Sequence, residues 1–158
     1  MNKSIDRIAF EFWAGIGSNI DLENWAESEL LKDDPHPDAC LLFGLPAEKA
    51  KEYALKLAEQ ITGFSPISEQ GEIWSKELLA SYCGELLIGK ITPYRFCSLI
   101  QQFDYSFLGL HEEEEGKIYY PEWLGDLWNQ CDWCEESWEL SDFPRLAAEA
   151  EKVLKSLT

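Results

Sequence analysis

The chain has 158 residues, 46% of them hydrophobic and 13% aromatic, and carries a formal charge of −17. That hydrophobic content excludes a disordered chain, and the length predicts a single domain, 1–158, able to bury about two-thirds of its unfolded surface. The acidic field repels phosphate backbones and anionic bilayers, so it argues against direct nucleic-acid or membrane binding and favours a cationic protein partner.

Fifteen acidic side chains fall in each half, against seven basic ones in residues 1–79 and six in 80–158, so neither half is a basic arm. Solubility alone is the plainer account of the charge. The opening MNKSIDRIAFEFW has no long apolar run behind its basic start, and no later segment reaches the length of a membrane span. A cytoplasmic location is therefore expected. The five cysteines, Cys40, Cys83, Cys97, Cys131 and Cys134, are an odd number, and without a leader they are expected as reduced thiols with no disulfide.

Taken in order, Ser4 reads as the N-cap of a helix carrying Ile5, Ile8, Ala9, Phe12 and Ile16, ended by Gly15 and Gly17. Asp21 caps a second, with Leu22, Trp25, Ala26 and Leu30, stopped by the prolines at 35 and 37. The run ACLLFGL at 39–45 fits a buried helical turn or a lone strand; the helical form is favoured because no partner strand is visible. Pro46 opens a third helix, with Ala47, Ala50, Ala54, Leu57, Ala58 and Ile61 on one face and Gly63 as its C-terminal cap.

Ser68 is the candidate cap of the next helix, containing Ile73, Trp74, Leu78, Leu79, Tyr82, Leu86 and Leu87, although Gly71 blurs its start. Thr92-Pro93 opens another, with Phe96, Leu99, Ile100 and Phe103 at core spacing. Tyr105 to Leu110 reads as an aromatic connector into a loop with four consecutive glutamates, a solvated charge run. Ser141 or Asp142 caps a last helix before Pro144, with Leu146, Ala150, Val153, Leu154 and Leu157 apolar and Lys152 and Lys155 near its end. Six or seven helices with short connections predict an all-α fold.

The stretch His111–Phe143 holds Trp123, Trp128, Trp133 and Trp138, five residues apart, with eleven carboxylates and Lys117 as its one Lys or Arg. From Pro121, the residues Leu124, Leu127, Trp128, Cys131, Cys134, Glu135 and Trp138 recur at intervals of three and four, which predicts a helix with this row buried. At about 100° per residue, Trp133 then points outward near Glu122, Asp126 and Asn129, with Glu136 beside them. Trp123 falls at the edge of that face, and Tyr119 or Tyr120 lies near it. An outward Trp ringed by carboxylates suits the contact with a basic protein. The other reading is that a second layer of the same chain covers the helix.

No enzyme, metal or cofactor is expected. Cys131-x-x-Cys134 is the one metal-like spacing, and His36 and Cys40 can supply two further zinc ligands only if their loop packs there. Both motif cysteines lie on the apolar row, where a thiol behaves as a small hydrophobe. A redox pair wants the motif at a helix start after a strand, whereas the periodicity places it mid-helix. His36 and His111 stand in no recognisable catalytic motif, and Gly15-x-Gly17 alone is no phosphate loop.

In overall character, as a compact, strongly acidic, aromatic-faced chain with no catalytic set, this protein resembles the immunity proteins of bacterial toxin systems, including contact-dependent growth inhibition. The resemblance implies a cytoplasmic inhibitor that binds a cognate toxin domain, often a basic nuclease, as a one-to-one heterodimer. Glu122, Trp123, Asp126, Asn129, Trp133, Glu136 and Tyr119 are the expected contact residues. The alternative class is a small acidic secretion or assembly chaperone, with a longer apolar groove and a homodimeric state. A phosphate-mimicking inhibitor of DNA-binding proteins shares the charge and implies several basic partners.

Overall fold

A computed structural model of the protein describes residues 2–109 and 121–158. Among these residues the chain is all-helical, with seven α-helices, three 3-10 turns and no strand. The α-helices are α1 (Ile5–Trp13), α2 (Asn19–Leu30), α3 (Ala47–Thr62), α4 (Glu69–Leu87), α5 (Pro93–Gly109), α6 (Leu127–Gln130) and α7 (Pro144–Leu157). The fold forms two compact units, Met1–Glu72 and Ile73–Thr158, and the division falls inside α4. The four-glutamate run and Tyr119 lie outside the described residues.

In the first unit, α1 starts where sequence chemistry puts it: the Ser4 hydroxyl accepts a hydrogen bond from the Arg7 amide at 3.2 Å. It stops at Ala14, and Gly15 follows at φ 84°. Ile16 therefore lies past the helix end and is exposed, not on the buried row. Helix α1 packs on α3, where Ala50, Ala54 and Ala58 are fully buried. A methyl group at every fourth position lets two helix backbones approach closely. The Thr62 hydroxyl donates to Asp6 Oδ1 (2.6 Å), tying the end of α3 to the start of α1. Gly63 closes α3 in the left-handed conformation, φ 76°, as expected.

Helix α2 begins earlier than expected, because Ser18 and not Asp21 supplies the cap, its hydroxyl accepting from the Ile20 amide at 3.3 Å. Asp21 instead accepts from Lys3 Nζ (2.8 Å), and the same ammonium reaches Glu11 Oε2 (2.8 Å). Glu11 is buried in α1 and accepts a second charged bond, from Arg7 Nε at 3.2 Å. Its carboxylate is thus tolerated inside because it is paired twice. The bonds to Asp21 first, and Glu11 second, hold the Lys3 ammonium above its ordinary range. The 39–45 run forms a 3-10 turn, Ala39–Leu42, against α2.

Gly71 has a packing reason. A Cβ there would lie 2.1 Å from the Pro66 carbonyl oxygen, so the first turn of α4 rests against backbone where only glycine fits. The Ser68 hydroxyl caps that turn by accepting from the Gly71 amide (3.3 Å).

In the second unit, α4 buries Leu79, Tyr82, Cys83 and Leu86, while Ile73 is exposed where core was expected. Helix α5 opens at Thr92-Pro93 with the Thr92 hydroxyl accepting from the Arg95 amide (3.1 Å). It buries Phe96, Leu99, Ile100, Phe103 and Phe107. The expected connector from Tyr105 is instead helix as far as Gly109, because Phe107 repeats the spacing of Phe103 and extends the apolar row. Helix α7 buries Leu146, Ala150 and Val153 and starts at Pro144 with no side-chain cap from Ser141 or Asp142.

Candidate partner-binding surface

The expected long helix from Pro121 to Trp138 does not form. Its place is taken by a 3-10 turn at Glu122–Leu124, the four-residue α6, a turn at 131–134 and a second 3-10 turn at Leu140–Asp142. Two long-range contacts accompany the break. Gly125 leaves helical space at φ 62°, where a Cβ would meet Glu149 Oε1 at 2.6 Å and Val153 Cγ2 at 2.8 Å of α7. Glu149 Oε1 then accepts from the Asp126 amide (2.8 Å), so α7 holds the bend.

The second contact is made by sulfur. Cys97 of α5 and Cys131 form a disulfide, with Cα atoms 5.2 Å apart, against the expectation of five reduced thiols. The expectation of reduced thiols follows from the odd count and the lack of a leader; the structure pairs two of the five cysteines and leaves three. Cys40, Cys83 and Cys134 remain free. Burial, then the charge of Glu149, pushes the Cys83 thiol up to about 12. Burial and the neighbouring Glu135 also raise the half-buried Cys134 thiol.

With the helix gone, the expected face is redistributed. Trp133 is 86% exposed, the most open large hydrophobic side chain among the described residues. The cause is not helix phase. Trp133 is the third residue of a turn closed by the Cys134 amide donating to the Cys131 carbonyl (3.1 Å), and its φ is 65°. That position favours glycine or asparagine, and a bulky residue there is an outlier.

Asp126 and Asn129 do come together. Asp126 accepts from Asn129 Nδ2 through Oδ1 (2.5 Å) and from Gln130 Nε2 through Oδ2 (2.9 Å). These bonds, that to Gln130 first, hold the Asp126 carboxyl below its ordinary range. Glu122 and Glu136 are exposed. Trp123 is half-buried, packed edge-on against Phe107 (5.9 Å between centroids) and tilted against Phe103 (6.3 Å), so it helps seat the 122–124 turn on α5. Tyr119 lies outside the described residues.

Two aromatics escaped the sequence reading. Tyr105 on α5 is 64% exposed and Trp128 on α6 is 37% exposed, their rings edge-to-face at 6.1 Å. Helical spacing puts Trp128 on the buried row and Tyr105 falls in the expected connector, so neither stands out in the sequence. Trp138 is half-buried and stacks on Phe143 at 3.5 Å and 13°. That stack and Arg145 line an open cleft of about 270 Å³ beside Gln130 and Asp142.

All seven carboxylates between Pro121 and Phe143 are exposed, at 122, 126, 132, 135, 136, 139 and 142, in a stretch with no Lys or Arg. Among the described residues no group of three or more His, Cys, Asp or Glu side chains is placed to hold a metal ion. His36 Nδ1 accepts from the Asp38 amide (3.1 Å). Again among the described residues, no helix is long and apolar enough to cross a membrane. Comparison with protein-family models, with curated proteins and with solved structures gave no match.

Proposed function

We propose that this chain is an immunity protein that binds a cognate basic toxin domain, of nuclease type, in a one-to-one complex and blocks it in the cytoplasm. The observation that carries the reading is Trp133, a ring 86% exposed on a backbone conformation that disfavours it. A side chain of that size in water, on costly backbone, points to a contact supplied by another molecule. Its neighbours Asp132, Glu135 and Glu136 are exposed as well, and carboxylates around an aromatic anchor select a cationic partner. Against a nuclease, they occupy places otherwise taken by substrate phosphates. The chain itself is assigned no catalysis.

The chaperone alternative asks for a continuous apolar groove. Exposed apolar residues do occur along α2 and at its C-cap, at Ile20, Leu30 and Leu31, but Asn24 and Glu27, also exposed, fall between Ile20 and Leu31 at helical spacing. That favours a discrete anchor over a client-holding groove.

The test is capture of the tagged full chain from its host, followed by sizing and association kinetics. The expected partner is a single basic domain at one-to-one stoichiometry, whose association slows with salt and whose affinity falls by about 2 kcal/mol or more in Trp133→Ala. An unchanged association rate between low and high salt, together with a silent Trp133→Ala, would reject the proposal.

A further inference from the structure

The sulfur arrangement carries an inference independent of any partner. The Cys97–Cys131 bond is buried, with Cys97 2% and Cys131 0% exposed, so a solvent thiol has no direct approach to either sulfur. One free thiol stands next to it along the chain. Cys134 closes the 131–134 turn, its amide N–H donating to the Cys131 carbonyl, and it is partly exposed.

A turn of this kind brings its first and fourth Cα atoms within about 7 Å, which overlaps the roughly 4.4–6.8 Å span of disulfides. Cys131 is bonded to Cys97 on α5 and shares with Cys134 a turn whose backbone separation is compatible with a bridge. Cys131-x-x-Cys134 does not sit in mid-helix with both thiols fixed on one row, because residues 131–134 form a turn. Cys83 is fully buried, and Cys40 belongs to the other unit.

We propose that Cys97, Cys131 and Cys134 form a thiol–disulfide exchange site for small-molecule thiols, in which Cys134 is the route by which the buried bond is opened. The Cys134 thiolate attacks Cys131 Sγ; the Cys131–Cys134 bond forms as the Cys97–Cys131 bond breaks. The electron pair leaves on Cys97 Sγ, which takes up the proton Cys134 gave up, so this step has no net oxidation. A solvent thiol of the glutathione or dithiothreitol class then reduces the accessible Cys131–Cys134 bond. Two thiols are oxidised to a disulfide as the protein gains two thiol protons. The exchange releases the turn carrying Trp133 from α5.

The experiment uses the oxidised full chain in a Cys40→Ser background, with and without Cys134→Ser, exposed to dithiothreitol under native conditions. Samples are acid-quenched at intervals, labelled with N-ethylmaleimide and mapped by mass spectrometry, so that labelling of Cys97 reports opening. Replacing a proximate intramolecular thiol with external attack on a buried bond is expected to slow opening by at least about tenfold. Cys134→Ala is measured in parallel, with helical circular dichroism as the folding control. A Cys97→Ser variant, oxidised with glutathione disulfide, is expected to close Cys131–Cys134. Equal opening rates with and without Cys134, or full Cys97 labelling before any reductant is added, overturns the proposal. So does a Cys97→Ser chain that fails to close the turn. None of these readings involves a partner, so their failure leaves the toxin-binding proposal to be decided by its own test.

Discussion

At Trp133 a side chain and its backbone make opposite demands. The ring wants burial, and the conformation at φ 65° wants no Cβ. Comparing two truncations isolates the backbone part: Trp133→Gly is expected to be about 1 kcal/mol more stable than Trp133→Ala, because both lose the ring and only one keeps a Cβ. Urea denaturation of the two variants measures it, and equal midpoints would show that the left-handed turn carries no strain. Helix phase places Trp133 outward, but on a helix that does not form. What it lacked was the bend at Gly125, which depends on Glu149 and Val153 of α7, far along the chain. Asp126 offers a second test at this scale. Its carboxyl is held below 3.8 by Gln130 and Asn129, so the ionised form's contribution is complete above pH 3.8 and is lost as pH falls through the lower folded value. NMR titration of the carboxyl should show the depressed midpoint in wild type and a return toward the ordinary value in Gln130→Ala.

Elements whose signals are local were legible. Ser4, Thr92 and Gly63 each act on residues within one turn, and the helices they bound lie close to expectation. The 121–143 stretch was not legible, because its breaks are set by a disulfide to α5 and a hydrogen bond to α7, which no window of local periodicity contains. The Lys3 tie between α1 and α2 is a further long-range device that the sequence did not announce. Removing the buried acceptor, Glu11→Ala, is expected to cost about 1–3 kcal/mol, less than a fully buried pair, because Lys3 and Arg7 are part-exposed and rehydrate. The pH sign is the reverse of that at Asp126. The Lys3 ammonium is held above 10.5, so its contribution is complete below that value and is lost as pH rises through the higher folded one. Thermal denaturation between neutral and strongly alkaline pH should show this loss in wild type and a smaller one in Lys3→Met.

Over the whole molecule the governing quantity is the charge of −17. Ion pairs such as Lys49–Glu52 and Lys155–Glu151 are exposed on both sides and worth only about 0–1 kcal/mol each. Thirty acidic side chains against thirteen basic ones leave an excess of negative charge of 17, and self-repulsion of that excess is expected to outweigh these pairs. Screening should therefore stabilise the protein. Raising monovalent salt from about 10 to about 150 mM shortens the Debye length from about 30 to about 8 Å and is expected to add about 1 kcal/mol, or roughly 2–4 °C in the melting midpoint. The proposed partner complex depends on the same field in the opposite sense, because attraction to a basic domain is what salt screens away. A midpoint that rises with salt while association slows places the carboxylates on the side of recognition, at a cost to the isolated fold. A midpoint that falls means that attractive pairs dominate the folded chain, and the acidic surface then has a structural explanation that needs no partner.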